Sequence, residues 1–153
     1  MKITDILSPD MVIPELKGNT KPDVLHELAG YLASKHREID PAALSAVLAE
    51  RERLGSTAIG DGIAIPHGKL AGVNSIIGVF GRHQRGVDFD SLDGGPTYLF
   101  FLLVAPEDSA SLHLKALARV SRLLKEASFR SRLLAAGDSA ELYSLIKEED
   151  NKY

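Results

Sequence analysis

The run Tyr98-Leu99-Phe100-Phe101-Leu102-Leu103-Val104 constrains this chain more than any other stretch, because it carries no charge and a single hydroxyl. It is far shorter than the ~18 residues of a membrane span. It also lacks the alternation of a strand with one wet face, so it reads as a central strand covered on both sides. Shorter apolar runs between Gly, Pro and Asp residues supply its neighbours: Ile63-Ala64-Ile65, Ser75 to Phe80 and, earlier, Met11-Val12-Ile13.

Helical periodicity flanks this middle region. Thr20 and Asp23 can cap a helix running to about Lys35, with Val24, Leu25, Leu28, Tyr31 and Leu32 as its apolar stripe. Asp40-Pro41 starts a second helix, since the carboxylate caps free N–H groups and proline suits the first turn. Leu44, Val47, Leu48 and Leu54 follow before a stop near Gly55. Beyond Pro106, Leu112, Leu114, Leu117, Val120, Leu123 and Leu124 predict one amphipathic helix entered at Asp108 or Ser109. Gly137-Asp138 closes one short helix and opens another, with Asp138 and Glu141 in capping-box spacing. Helices on either side of grouped strands predict an α/β fold, a mixed sheet core with helices on both faces. Its 153 residues are expected to form one domain over 1–153.

Composition removes whole classes of chemistry. Without cysteine there is no disulfide, thiolate metal site or cysteine nucleophile. A net charge of −3 provides no global basic field for nucleic acid. The start Met1-Lys2-Ile3-Thr4-Asp5-Ile6 does not follow a signal-peptide plan, so a cytoplasmic protein without membrane insertion is expected.

Chemistry is expected between Gly55 and Gly68, where four glycines, a short strand and Pro66-His67-Gly68 coincide. Pro66 fixes its own φ and biases Ile65 towards extended geometry, which restricts the direction of His67. Gly68 allows a bulky group to approach the imidazole. A neutral histidine nitrogen is a nucleophile near neutral pH, its reference pKa being ~6.5. A transferred phosphoryl group would then need cations and N–H donors around it. Arg51 and Arg53 at the end of the second helix and His113 at the start of a later one are candidates. Spacing alone does not join these regions. His26, His36 and His83 read as surface or structural histidines. The glycine segment lacks the Gly-Lys-Ser/Thr ending of a nucleotide loop.

The stretch Arg51-Glu52-Arg53-Leu54-Gly55-Ser56-Thr57-Ala58-Ile59-Gly60-Asp61-Gly62-Ile63-Ala64-Ile65-Pro66-His67-Gly68 resembles the active-site signature of fructose/mannitol-type enzyme IIA domains of the bacterial phosphotransferase system. The resemblance extends over nearly the whole chain. It implies that His67 is phosphorylated, at the tele nitrogen, by a small histidine phosphocarrier protein (HPr-like) that enzyme I charges from phosphoenolpyruvate. It assigns the pocket arginine to Arg51 and the second histidine to His113, and puts Ser56, Thr57 and Gly68 around the phosphate. No cofactor and no metal are implied.

Gly68-Lys69-Leu70 resembles the nitrogen-related, regulatory branch more than the sugar-transport branch. A stand-alone IIA component serving a IIB component stays open, as does a regulatory binding module that is never phosphorylated. A metal-dependent hydrolase using His67 and His113 lacks a short-range pair of ligands. The basic segment Gly81-Arg82-His83-Gln84-Arg85-Gly86 departs from the family pattern and reads as a solvated hairpin end.

Overall fold

The computed structural model describes all of residues 1–153. After two 3₁₀ turns, strand β1 (Val12–Ile13) leads into helices α1 (Lys21–Lys35) and α2 (Pro41–Arg53). The strands β2 (Ala58–Gly60), β3 (Ile63–Ala64), β4 (His67–Lys69), β5 (Ile77–Val87) and β6 (Thr97–Ala105) follow. Helices α3 (Ala110–Leu123), α4 (Ala127–Ala135) and α5 (Ser139–Asp150) close the chain. No helix is long and apolar enough to cross a membrane.

The helix starts are where capping chemistry puts them. The Thr20 side chain accepts from the Asp23 N–H, Asp40 accepts from the Ala42 N–H with Pro41 at the first position, and Asp138 accepts from the Glu141 N–H.

The sheet is mixed, with strand order β1-β5-β6-β3-β2. The apolar run forms β6, antiparallel to β5 on one side and parallel to β3 on the other. Side-chain alternation along β6 sorts the helices into two layers. Phe100 packs on Phe89, which lies under Lys21 of α1, and Val104 is the partner of Gly68, whose face meets Val47 of α2. On the other face, Leu103 partners His67, whose ring meets His113 of α3. Leu99 partners Arg82, which reaches α4. Residues 99–105 are buried throughout, as a strand covered on both faces requires.

Two departures from the sequence reading bear on the site. The strand expected over Ile63-Ala64-Ile65 does not end at Pro66. Ile63 pairs with Leu99, and His67 with Leu103, so the offset along β6 is the same before and after the proline. Pro66 lacks an N–H and breaks the ladder, yet its carbonyl still accepts from the Leu103 N–H at 3.0 Å. His67 therefore begins β4, in the same register along β6 as β3.

The second departure is the basic segment, which is solvated only at Gln84 and Arg85. β5 runs on to Val87, and Arg82 and His83 are buried. The Arg82 guanidinium donates to the carbonyls of Pro14 (3.0 Å), Leu133 (2.8 Å) and Ala136. It satisfies backbone acceptors at the end of α4, where helices leave carbonyls without partners. His83 Nε2 meets the Gly18 carbonyl at 2.8 Å, and Nδ1 accepts from the Gly86 N–H.

Candidate functional site

Three elements converge at the edge where β4 lies between α2 and α3. The last turn of α2 presents Arg51, β4 presents His67 and Lys69 on one face, and the first turn of α3 presents His113. Together they line a cavity of about 490 Å³ with an apolar wall that includes Val47, Leu54, Leu114 and Leu117.

His67 is held at both ring nitrogens. Its Nδ1 lies 2.8 Å from the Ile65 carbonyl, which can only accept, so Nδ1 carries the proton. Nε2 is consequently the lone-pair nitrogen, and Arg51 Nε donates to it at 3.3 Å. Arg51 is itself steadied by donation from Nη1 to the Gly55 carbonyl at 2.9 Å. Burial, above all, lowers the His67 pKa, and the Arg51 cation adds to that; the Ile65 hydrogen bond and the Glu52 charge oppose it. The site thus favours a neutral imidazole with its basic nitrogen beside a guanidinium.

The His113 ring stands edge-on to His67, with centroids 5.4 Å apart and planes at 83°. It is buried, and its Nε2 has no hydrogen-bond partner. The residue lines the cavity. Burial lowers its pKa as well, helped by the neighbouring His67 and Lys69.

Arg51, His67 and His113, which spacing could not connect, are therefore in one place. Arg53 is not: it points to solvent and pairs with Glu50 at 2.8 Å. Ser56 and Thr57 do not line the cavity. The Ser56 hydroxyl donates to the Phe89 carbonyl (2.7 Å) and accepts from the Ala58 N–H, while the Thr57 hydroxyl is bound to Glu52. Both hydroxyls are thus engaged in the turn that carries β2. Gly68 lines the cavity but serves packing: a Cβ there would lie 2.6 Å from Val47 Cγ1, so glycine lets α2 seat against β4.

Sequence reasoning passed over Lys69, although strand alternation sends residue 69 to the same side as residue 67. It also turned α3 the wrong way in its first turn. Leu112 and Leu114 are 42% and 68% exposed, and the buried stripe is His113, Ala116, Val120 and Leu123. Counting back from Val120 in steps of three and four gives 116 and 113, which would have put the histidine inward. No group of three or more His, Asp or Glu side chains is placed to hold a metal ion.

The geometry sets a basic imidazole nitrogen beside a guanidinium in a cavity wall, and comparison with known proteins shows the family. A family model for the "Phosphoenolpyruvate-dependent sugar phosphotransferase system, EIIA 2" matches residues 5–149. The chain belongs to this family, whose members are phosphotransferases that carry the phosphoryl group as phosphohistidine and exchange it with protein partners. It is 45% identical over 146 residues to a nitrogen regulatory protein of Bradyrhizobium diazoefficiens, covering 95% of each chain. It is 37% identical over 150 residues to the fructose-specific EIIABC component of Bacillus subtilis, covering 98% of this chain and 24% of that one. The crystal structure of the nitrogen regulatory protein IIA-Ntr from Neisseria meningitidis superposes with a TM-score of 0.87 at 31% identity, covering 94% of this chain and 98% of that one.

Proposed function

We propose that His67 Nε2 is the phosphoacceptor, that Arg51 and His113 bind the phosphoryl oxygens, and that the protein works as a regulatory, nitrogen-related IIA. The observation that carries this is the pairing of Nδ1–H with the Ile65 carbonyl, which frees Nε2 and aims it at Arg51 and the cavity. The donor is a histidine phosphocarrier protein whose own phosphohistidine enters the cavity mouth. The His67 Nε2 lone pair attacks phosphorus, and the donor's N–P bond breaks as the new one forms. The donor ring, protonated on its other nitrogen, leaves as neutral imidazole with the N–P electron pair. His67 keeps its Nδ1 proton on the Ile65 carbonyl, which steadies the positive charge the ring acquires. Arg51 transfers its donors from Nε2 to the phosphoryl oxygens, and His113 Nε2, when it carries a proton, gives them another. Lys69 adds positive charge on the same face.

The regulatory reading rests on similarity over essentially whole chains to nitrogen regulatory proteins. The alternative is a IIA that passes the group to a IIB component, which the match to part of a fructose-specific EIIABC protein favours.

Incubation with phosphoenolpyruvate, enzyme I and the phosphocarrier, followed by intact mass, tests the core of this. One phosphoryl group is expected on the wild type and none on His67→Ala. An adduct that persists in His67→Ala would assign the chemistry elsewhere. Adding a cognate IIB distinguishes the two roles: rapid loss of the group to IIB supports transport, whereas retention with phosphorylation-dependent binding of a regulatory target supports regulation.

A further inference from the structure

Glu52 is a buried carboxylate beside the site that the transfer step itself does not use. It follows Arg51 directly in the last turn of α2 and is 9% exposed. Successive helical residues point about 100° apart, so Arg51 faces His67 while Glu52 faces inward, towards the segment that leads to β2. There the Thr57 N–H donates to Oε1 at 3.1 Å, the Thr57 hydroxyl donates to Oε2, and Lys21 Nζ lies 2.9 Å from Oε1. Lys21 is half enclosed itself, over the Phe89 ring at 4.8 Å. A buried charge persists only when paired and hydrogen-bonded, and this one is both.

From Thr57 the connection reaches the reacting ring in two backbone steps. The Thr57 carbonyl accepts from the Ile65 N–H at 3.1 Å, and the Ile65 carbonyl holds His67 Nδ1 at 2.8 Å. Adjacent residues of one helix therefore act on opposite sides of one imidazole: Arg51 at Nε2 directly, Glu52 at Nδ1 through Thr57 and Ile65.

We propose that Glu52 is a positioning residue for phosphoryl transfer, registering the segment from Thr57 to Ile65 against the end of α2 so that His67 keeps its Nδ1–H tautomer and its aim at Arg51. The inference rests on reading His67 as the phosphoacceptor. Displacements of about 1 Å at a reacting group cost up to ~100-fold in rate, so the shell behind the ring matters as much as the ring.

The test compares wild type, Glu52→Ala, Glu52→Gln and Thr57→Val. It reads the phosphorylation rate by intact mass and the His67 tautomer by imidazole nitrogen–proton correlation spectra of the unphosphorylated protein. Glu52→Ala is expected to slow phosphorylation by about tenfold or more and to lose the pure Nδ1–H signature. Glu52→Gln, which keeps an acceptor for the Thr57 N–H, is expected to recover most of both. A wild-type rate in folded Glu52→Ala would overturn the proposal, and so would a slower rate with the tautomer unchanged, which marks a merely structural residue. Should Glu52→Ala fail to fold, Thr57→Val removes one contact at nearly constant volume. It is then expected to slow the rate about threefold with the same spectral change, and no change in either readout would overturn the claim. If the wild type accepts no phosphoryl group, the reading of His67 falls. The tautomer spectra then still decide whether Glu52 positions the ring.

Discussion

At the scale of single residues, the site works by assigning each imidazole nitrogen a task. A neutral ring with Nδ1–H on a carbonyl has one nucleophilic nitrogen, and burial, helped by the nearby guanidinium, favours leaving that nitrogen unprotonated. The His67 titration midpoint, followed by proton resonance, is therefore expected below the ordinary ~6.5. Arg51→Met removes a cation that lowers it, so the midpoint should rise towards that value. Arg51→Lys keeps the charge but loses the planar fork that spans two phosphoryl oxygens. Its phosphorylation rate should fall by about tenfold or more, read by the same mass assay. His67 was legible in the sequence because Pro66 and Gly68 mark a special backbone. Hydroxyls beside glycines serve a phosphate or a turn equally well, and those of Ser56 and Thr57 are engaged in the turn.

At the scale of elements, close packing explains residues that composition renders ambiguous. Gly68 sits where α2 touches β4, so Gly68→Ala must push Val47 aside and is expected to cost about 1–3 kcal/mol in denaturant unfolding. Val47→Ala in the same chain should return part of that loss, because it opens the space the new methyl needs. Arg82 looked like a surface cation because charged side chains on a strand end usually are. Its strand instead continues beside β6, and the guanidinium closes three carbonyls from two other segments. Arg82→Met should leave those acceptors unpaired and lower stability by roughly 3 kcal/mol, measured by urea denaturation. The inward turn of His113 was recoverable from helical spacing. The approach of α2 to α3 across β4 was not, since no local pattern encodes which helices meet.

At the scale of the whole molecule, the two site histidines couple function to stability. Both have folded-state pKa values lowered mainly by burial, so below pH ~6.5 the unfolded chain takes up protons first. Their contribution is present above that pH and is lost as pH falls through the folded values. The denaturant midpoint should thus drop between pH 7.5 and 5.5, and a His67→Gln, His113→Gln double variant should drop less. The ends of the chain are also joined: the Asp150 carboxylate accepts from the Ile3 N–H at 2.8 Å and from Arg119 Nε at 2.8 Å. By itself the sequence determined the helix starts, the buried central strand, the α/β class and, through the signature around His67, the family. Capping, turn chemistry and hydrophobic period act between near neighbours and can be read in a line. Tertiary structure alone decided that Arg51, His67 and His113 share a cavity, that Arg82 is interior, and that Glu52 binds Thr57 behind the His67 ring. Those outcomes depend on contacts between segments far apart in the chain, whose free energy is settled only when the sheet and both helical layers pack together.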